Sequence, residues 1–185
     1  MKKTDVTRLT LAALFVALGL ALPFATLQIP AIGSMLLPMH LPVLLCGFVC
    51  GWPYGLAVGF VTPLLRSVLF GMPPLMPTAL AMAFELATYG AVAGALYAKL
   101  PKSRGNVLVS LVGAMLAGRV VWGLVSWALN GLILAKPFTL PMFFAGAFIN
   151  AWPGIVVQLI VVPLIVIALE KAKLIPLKGG RSAAA

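Results

Sequence analysis

Four ionisable side chains, His40, Arg66, Glu85 and Arg119, fall inside stretches that are otherwise apolar. They supply an imidazole, two guanidiniums and a carboxylate. Such groups hold charged ligands through hydrogen-bonded ion pairs, or move protons. An enzyme would use Glu85 as general base and His40 as acid. No HExxH, paired-aspartate or Ser–His spacing accompanies them, so the catalytic kit is sparse. A binding site would use the same groups with Asn150, Ser126 and the rings of Tyr89 and Trp122. Cys46 and Cys50 stand four apart in an apolar run. That is helical spacing and suits packing better than a redox pair or a metal. No metal and no cofactor is expected.

The surroundings decide what solvent these groups meet. Of the 185 residues, 63% are hydrophobic and 9% are charged. A soluble domain is about one quarter charged. So much apolar surface needs a bilayer around it. The formal charge of +10 suggests nucleic acid, but its distribution argues against that partner. Lys2, Lys3 and Arg8 lie at one end of the chain; Lys171, Lys173, Lys178 and Arg181 lie at the other; Lys99, Lys102 and Arg104 share one loop. All flank apolar runs, the pattern of topology signals and anchors to anionic lipid.

An all-α integral membrane bundle of six transmembrane helices is expected. The spans are 9–24, 39–50, 56–70, 78–97, 107–129 and 142–169. The turn Gly51-Trp-Pro-Tyr-Gly55 separates the second from the third. Residues 28–34, 71–77 and 130–141 are loops, and 1–175 form one domain. Residues 176–185 are expected to be a disordered cytoplasmic tail. With six spans, the basic termini and the basic loop share a side. Both termini are therefore expected in the cytoplasm. The N-terminal apolar run lacks a small-residue cleavage site and reads as a span, not a leader.

Ionisable groups inside a membrane are functional candidates by default. Counting 1.5 Å per residue puts Arg66 and Arg119 roughly 20 Å above the cytoplasmic side, and Glu85 roughly 10 Å below the outer one. His40 and Asn150 fall in the same outer layer. Faces agree with depth. Arg119, Trp122, Gly123, Ser126 and Asn130 share one helical face; Thr78, Glu85 and Tyr89 share another; Gly146, Asn150, Pro153 and Gly154 form a stripe; Thr62 lies one turn from Arg66. Such faces would enclose a pocket in the outer half of the membrane. Structural readings stand beside this one. Glu85 and Arg119 would pair for stability, Arg66 would snorkel, and Asn150 would join helices. His40, between Pro38 and Pro42, would simply start a helix. Trp127 and Trp152 would sit in an interfacial belt. Two arginines less one glutamate leave a charge of +1 with His40 neutral, which favours an anionic ligand.

The first span carries Ala13, Ala17 and Ala21 at a four-residue interval. Small-residue strips let a second helix approach closely in lipid. Further on runs His40-Leu-Pro-Val-Leu-Leu-Cys-Gly-Phe-Val-Cys-Gly-Trp-Pro-Tyr-Gly55-Leu-Ala-Val-Gly59. With the alanine strip and the six spans, this run resembles the substrate-binding S components of energy-coupling factor (ECF) vitamin transporters. It is similar to that family's short second helix, tight cytoplasmic turn and glycine-bearing third helix. The resemblance covers nearly the whole chain. It implies a vitamin or precursor held in the outer half by helices four to six and the outer loops. It also implies a transmembrane coupling subunit contacting Ala13, Ala17 and Ala21, two cytoplasmic ATPases as partners, and a prokaryotic plasma membrane. By position it makes Glu85, Arg119, Trp122 and Asn150 ligand contacts. Arg66, Tyr89, Ser126 and His40 are the further candidates. The biotin branch's loop pattern is not evident here. Pantothenate or nicotinate suits the charge. Thiamin precursors, riboflavin, a B6 vitamer and a cobalamin precursor stay open.

A stand-alone transporter or channel is the other class to weigh. It would want a continuous polar path, yet the inner halves of spans three to six are apolar apart from Gln158.

Overall fold

The computed structural model describes residues 3–26, 29–101 and 103–172. The expected tail at 176–185 lies outside the described residues, as do Lys2, Gln28 and Lys102. Among the described residues every regular element is helical. Six stretches are long and apolar enough to cross a membrane.

Helix α1 (Lys3–Ala21) runs on into a short 3-10 turn, Leu22–Thr26. The loop expected at 28–34 is instead largely a helix, α2 (Pro30–Leu36). Pro30 sits in its first turn, where a missing N–H costs nothing. Leu37 ends it in the left-handed region at φ 51°. Helix α3 (His40–Cys50) has 11 residues, about 16 Å of rise. That is too short to cross alone, and α2 and α3 together make the second crossing, Ala31–Cys50.

Gly51 alone separates α3 from α4 (Trp52–Phe70). The turn expected over 51–55 is therefore one residue long, and Trp52 to Gly55 belong to the helix. Gly51 adopts φ 94°, which other residues rarely tolerate. Helix α5 (Leu80–Lys99) follows the proline-rich loop and an irregular turn at Leu75–Ala79. Helix α6 (Arg104–Ala128) starts at Ser103, whose hydroxyl accepts from the Asn106 N–H. It continues as a wider turn, Leu129–Ile133.

The sixth span is not one helix from 142 to 169. Helix α7 (Leu140–Phe144) and the π-type turn Ala145–Ile149 lead to a break at Asn150 and Ala151. Only then does α8 (Trp152–Lys171) make the crossing. Prolines at 141 and 153 each open a helix, so the chain restarts twice.

The core lies where α3, α4 and α5 meet. A β-carbon on Gly90 would stand 2.2 Å from the Gly55 carbonyl oxygen. One on Gly47 would stand 2.5 Å from the Gly90 oxygen, and one on Gly59 2.2 Å from that of Leu86. Glycines let these backbones touch, which is how helices gain packing energy in lipid. Around them pack Val43, Leu44, Phe48, Val58, Leu86 and Ala93. At the end bearing Lys99, the Tyr97 hydroxyl donates to the Glu170 carboxylate and ties α5 to α8.

Candidate functional site

The cavity lies at the opposite end of the bundle from Lys99 and Arg104. Its volume is about 530 Å³, and residues from the first five crossings and from the stretch just before α8 line it. That size suits a small organic molecule.

Glu85 and Arg119 form its polar floor. Arg119 Nη1 donates to Glu85 Oε1 at 2.8 Å. His40 Nε2 lies 3.5 Å from the same oxygen. All three side chains are at least nine-tenths buried. Arg119 Nε and Nη2 and both His40 ring nitrogens have no hydrogen-bond partner among the described residues. Such buried polar atoms are costly in a low dielectric unless they find hydrogen-bond partners. The group comes from three helices. His40 opens α3, Glu85 lies in the second turn of α5, and Arg119 lies nine residues before the end of α6.

Arg66 lines the cavity from the α1 side. Its Nη1 donates to the Leu20 carbonyl at 2.6 Å. Its guanidinium lies 5.0 Å from the Phe24 ring centre and 5.3 Å from that of Phe70. The two rings meet edge to face. Arg66 is held in place as a buried cation between two rings.

Trp122 also lines the cavity. A β-carbon on Gly146 would stand 2.7 Å from the tip of the Trp122 ring. Phe138 and Phe143 back the indole at 5.9 and 6.1 Å between ring centres. Asn150, at the break before α8, completes that side.

Six of the sequence candidates thus border one cavity: His40, Arg66, Glu85, Arg119, Trp122 and Asn150. Tyr89 and Ser126 do not line it. Tyr89 lies one turn deeper than Glu85. Its ring packs edge-on against His40 at 5.2 Å and covers Gly118. Ser126 is buried, and the Asn130 side chain folds back to donate to its carbonyl. Thr62 turns its hydroxyl to the Val58 carbonyl and its methyl toward Gly19. The stripe 146–154 is split by the break at Asn150. Gly154 serves instead as the seat of α2, where a β-carbon would stand 2.7 Å from the Met35 oxygen.

Other lining residues carry little chemical signal in the sequence. Gly33 and Ser34 come from the helix that was expected to be a loop, and Leu37 from its C-terminal cap. Met72, Pro73 and Pro74 come from the proline-rich loop, and Met82 from α5. Nothing in the sequence placed that loop beside the polar layer.

Six helices long and apolar enough to cross a membrane, with a mostly apolar cavity near one end that also carries buried charged groups, are the build of a multi-pass membrane protein. A family model for the substrate-specific component of ECF transporters matches residues 7–166, so the chain belongs to that family. It is a substrate-binding subunit of a transporter. Comparisons with curated proteins and with solved structures find no match.

Proposed function

We propose that this subunit captures a water-soluble vitamin or vitamin precursor in the 530 Å³ cavity, for ATP-driven uptake by partner subunits. The observation that carries the reading is the convergence of His40, Arg66, Glu85, Arg119, Trp122 and Asn150 on one chamber. The basic residues at the opposite end support an orientation with both termini in the cytoplasm and the chamber facing outward. The family resemblance supports a prokaryotic plasma membrane as its location. An anionic vitamin such as pantothenate or nicotinate fits a lining with two cations and one carboxylate.

Ala13, Ala17 and Ala21 are all exposed on α1, while Ala12, Phe15 and Gly19 face the bundle. This supports the strip as the contact for a transmembrane coupling subunit, which would join two cytoplasmic ATPases. Ala17→Trp should leave ligand affinity unchanged and abolish assembly and uptake. Normal uptake by that variant would remove the strip from the interface.

Mass spectrometry of small molecules retained after mild purification tests the reading directly. A vitamin-class ligand in about 1:1 ratio is expected, with tight binding by the isolated chain. Uptake by this chain alone in liposomes, without ATP, would favour a stand-alone transporter instead.

A further inference from the structure

The two arginines of the chamber are not equivalent. Arg119 already has a carboxylate, Glu85, at 2.8 Å. Arg66 has none within ion-pair distance among the described residues. The sequence holds three acidic residues, Asp5, Glu85 and Glu170. Glu85 is taken by Arg119. Glu170 accepts from Tyr97 at the far end of the bundle. Asp5 lies in the first turn of α1, whereas Arg66 meets that helix near its last turn, at Leu20. Fifteen residues of helix separate Asp5 from Leu20, about 22 Å. No acidic side chain of the chain is therefore available to Arg66.

We propose that Arg66 is the charge-selecting residue of the chamber. It would accept the carboxylate of a monoanionic ligand, while the Glu85–Arg119–His40 floor meets the ligand's uncharged part. This rests on the capture reading above and says which class of molecule is captured. Three observations carry it. Arg66 is 3% exposed and lines the cavity, so its charge is sheltered from bulk water. Its guanidinium is fixed by the Leu20 carbonyl and two aromatic faces, so little freedom is lost when a ligand binds. Only one of its five N–H donors has a hydrogen bond among the described residues. A carboxylate can still take two of the rest.

Position separates the two ends of the ligand. Arg66 and Arg119 stand at similar depth, 14 and 15 residues from the starts of α4 and α6, but Arg66 approaches from the α1 side whereas Arg119 is held in the floor by Glu85. The anionic group belongs on the α1 side of the chamber and the neutral body across it, against Met82 and Trp122. A cationic ligand finds no free counter-charge here, since Glu85 is committed to Arg119. Amines and thiazolium-type cations are selected against.

Arg66 also faces the carbonyl end of α1, where a cation is favourable for structure alone. The test therefore reads selectivity, which a structural role would not alter. Two matched pairs serve as probes, nicotinate with nicotinamide and pantothenate with pantothenol; thiamin is the cationic control. Calorimetry on the purified full chain should give, for one pair, a carboxylate bound at least about tenfold tighter than its neutral partner. Thiamin should not bind. Arg66→Gln should erase the preference by weakening the acid alone. Arg66→Lys, which keeps the charge and loses the fork, should retain part of it. If Arg66→Gln does not fold, the lysine variant decides: a narrowed gap supports the assignment and an unchanged gap overturns it. A gap that survives Arg66→Gln, or equal loss of both pair members, overturns it too. So does a neutral or cationic probe that binds as well as the acids, though capture itself then stands. No binding by any probe, with no small molecule retained on purification, defeats capture and selectivity together.

Discussion

Around Gly90 the backbones of α3, α4 and α5 touch, whereas around Gly131 a side chain would meet nothing within 4 Å. The first region is a seam of glycines and small buried residues. The second, from Leu129 to Ile149, is a run of short, wide turns with Leu132, Ile133, Leu140 and Ile149 more than half exposed. The chamber hangs between them. Its charged floor is anchored to the seam through His40 and Glu85, and its aromatic side leans on the sparse region through Trp122 and Gly146. The contrast teaches where precision is needed. A buried ion pair in lipid tolerates little displacement, while a ring against a ligand tolerates more.

The same glycine-to-alanine change tests both extremes. Gly90→Ala should be the most damaging, because its new methyl group meets backbone that cannot turn aside. A loss of about 3 kcal/mol is expected, seen as a collapse in the yield of monodisperse protein. A normal yield would mean that the seam is looser than its geometry.

Arg119→Ala comes next. It strands Glu85 in the floor, which should cost about 3–5 kcal/mol and abolish ligand binding. Thermal unfolding and calorimetry on one sample read both. The double variant Arg119→Met/Glu85→Leu should recover stability without recovering binding. Intact binding in either variant would take the pair out of the site.

Gly146→Ala should act more gently. The methyl would push the Trp122 ring, which can swing. Affinity should fall about tenfold, with melting lowered by a few degrees. Tryptophan fluorescence would report the displaced ring. An effect as large as that of Gly90→Ala would show the aromatic side to be as rigid as the seam.

Gly131→Ala should do least, with stability within about 0.5 kcal/mol of the parent and affinity unchanged. A clear loss would mean that this stretch packs against something in the working protein.

The polar candidates were legible because the background is so apolar. A glutamate between Phe84 and Leu86, or an arginine between Gly118 and Val120, is conspicuous in any membrane segment. Counting residues along helices then set His40, Arg66, Glu85 and Arg119 at similar depth, without a structure. Facing was a weaker guide. Tyr89 shares the Glu85 face, yet one turn of depth was enough to leave the ring beneath the floor, against His40 and Gly118. Breaks in the helices were hidden as well. Residues 142–169 read as one apolar run, and the restart at Trp152 depends on how Pro153 is used. The partner of Arg66 had no signature at all, since Leu20 contributes a backbone oxygen and every residue has one.

That oxygen gives α1 two jobs on adjacent residues. Leu20 reaches inward to steady a cation, and Ala21 lies bare on the opposite flank. A push on the bare flank bears on the same turn of helix that holds Arg66. Grip on the cargo and contact along α1 would therefore trade energy in both directions, whichever comes first.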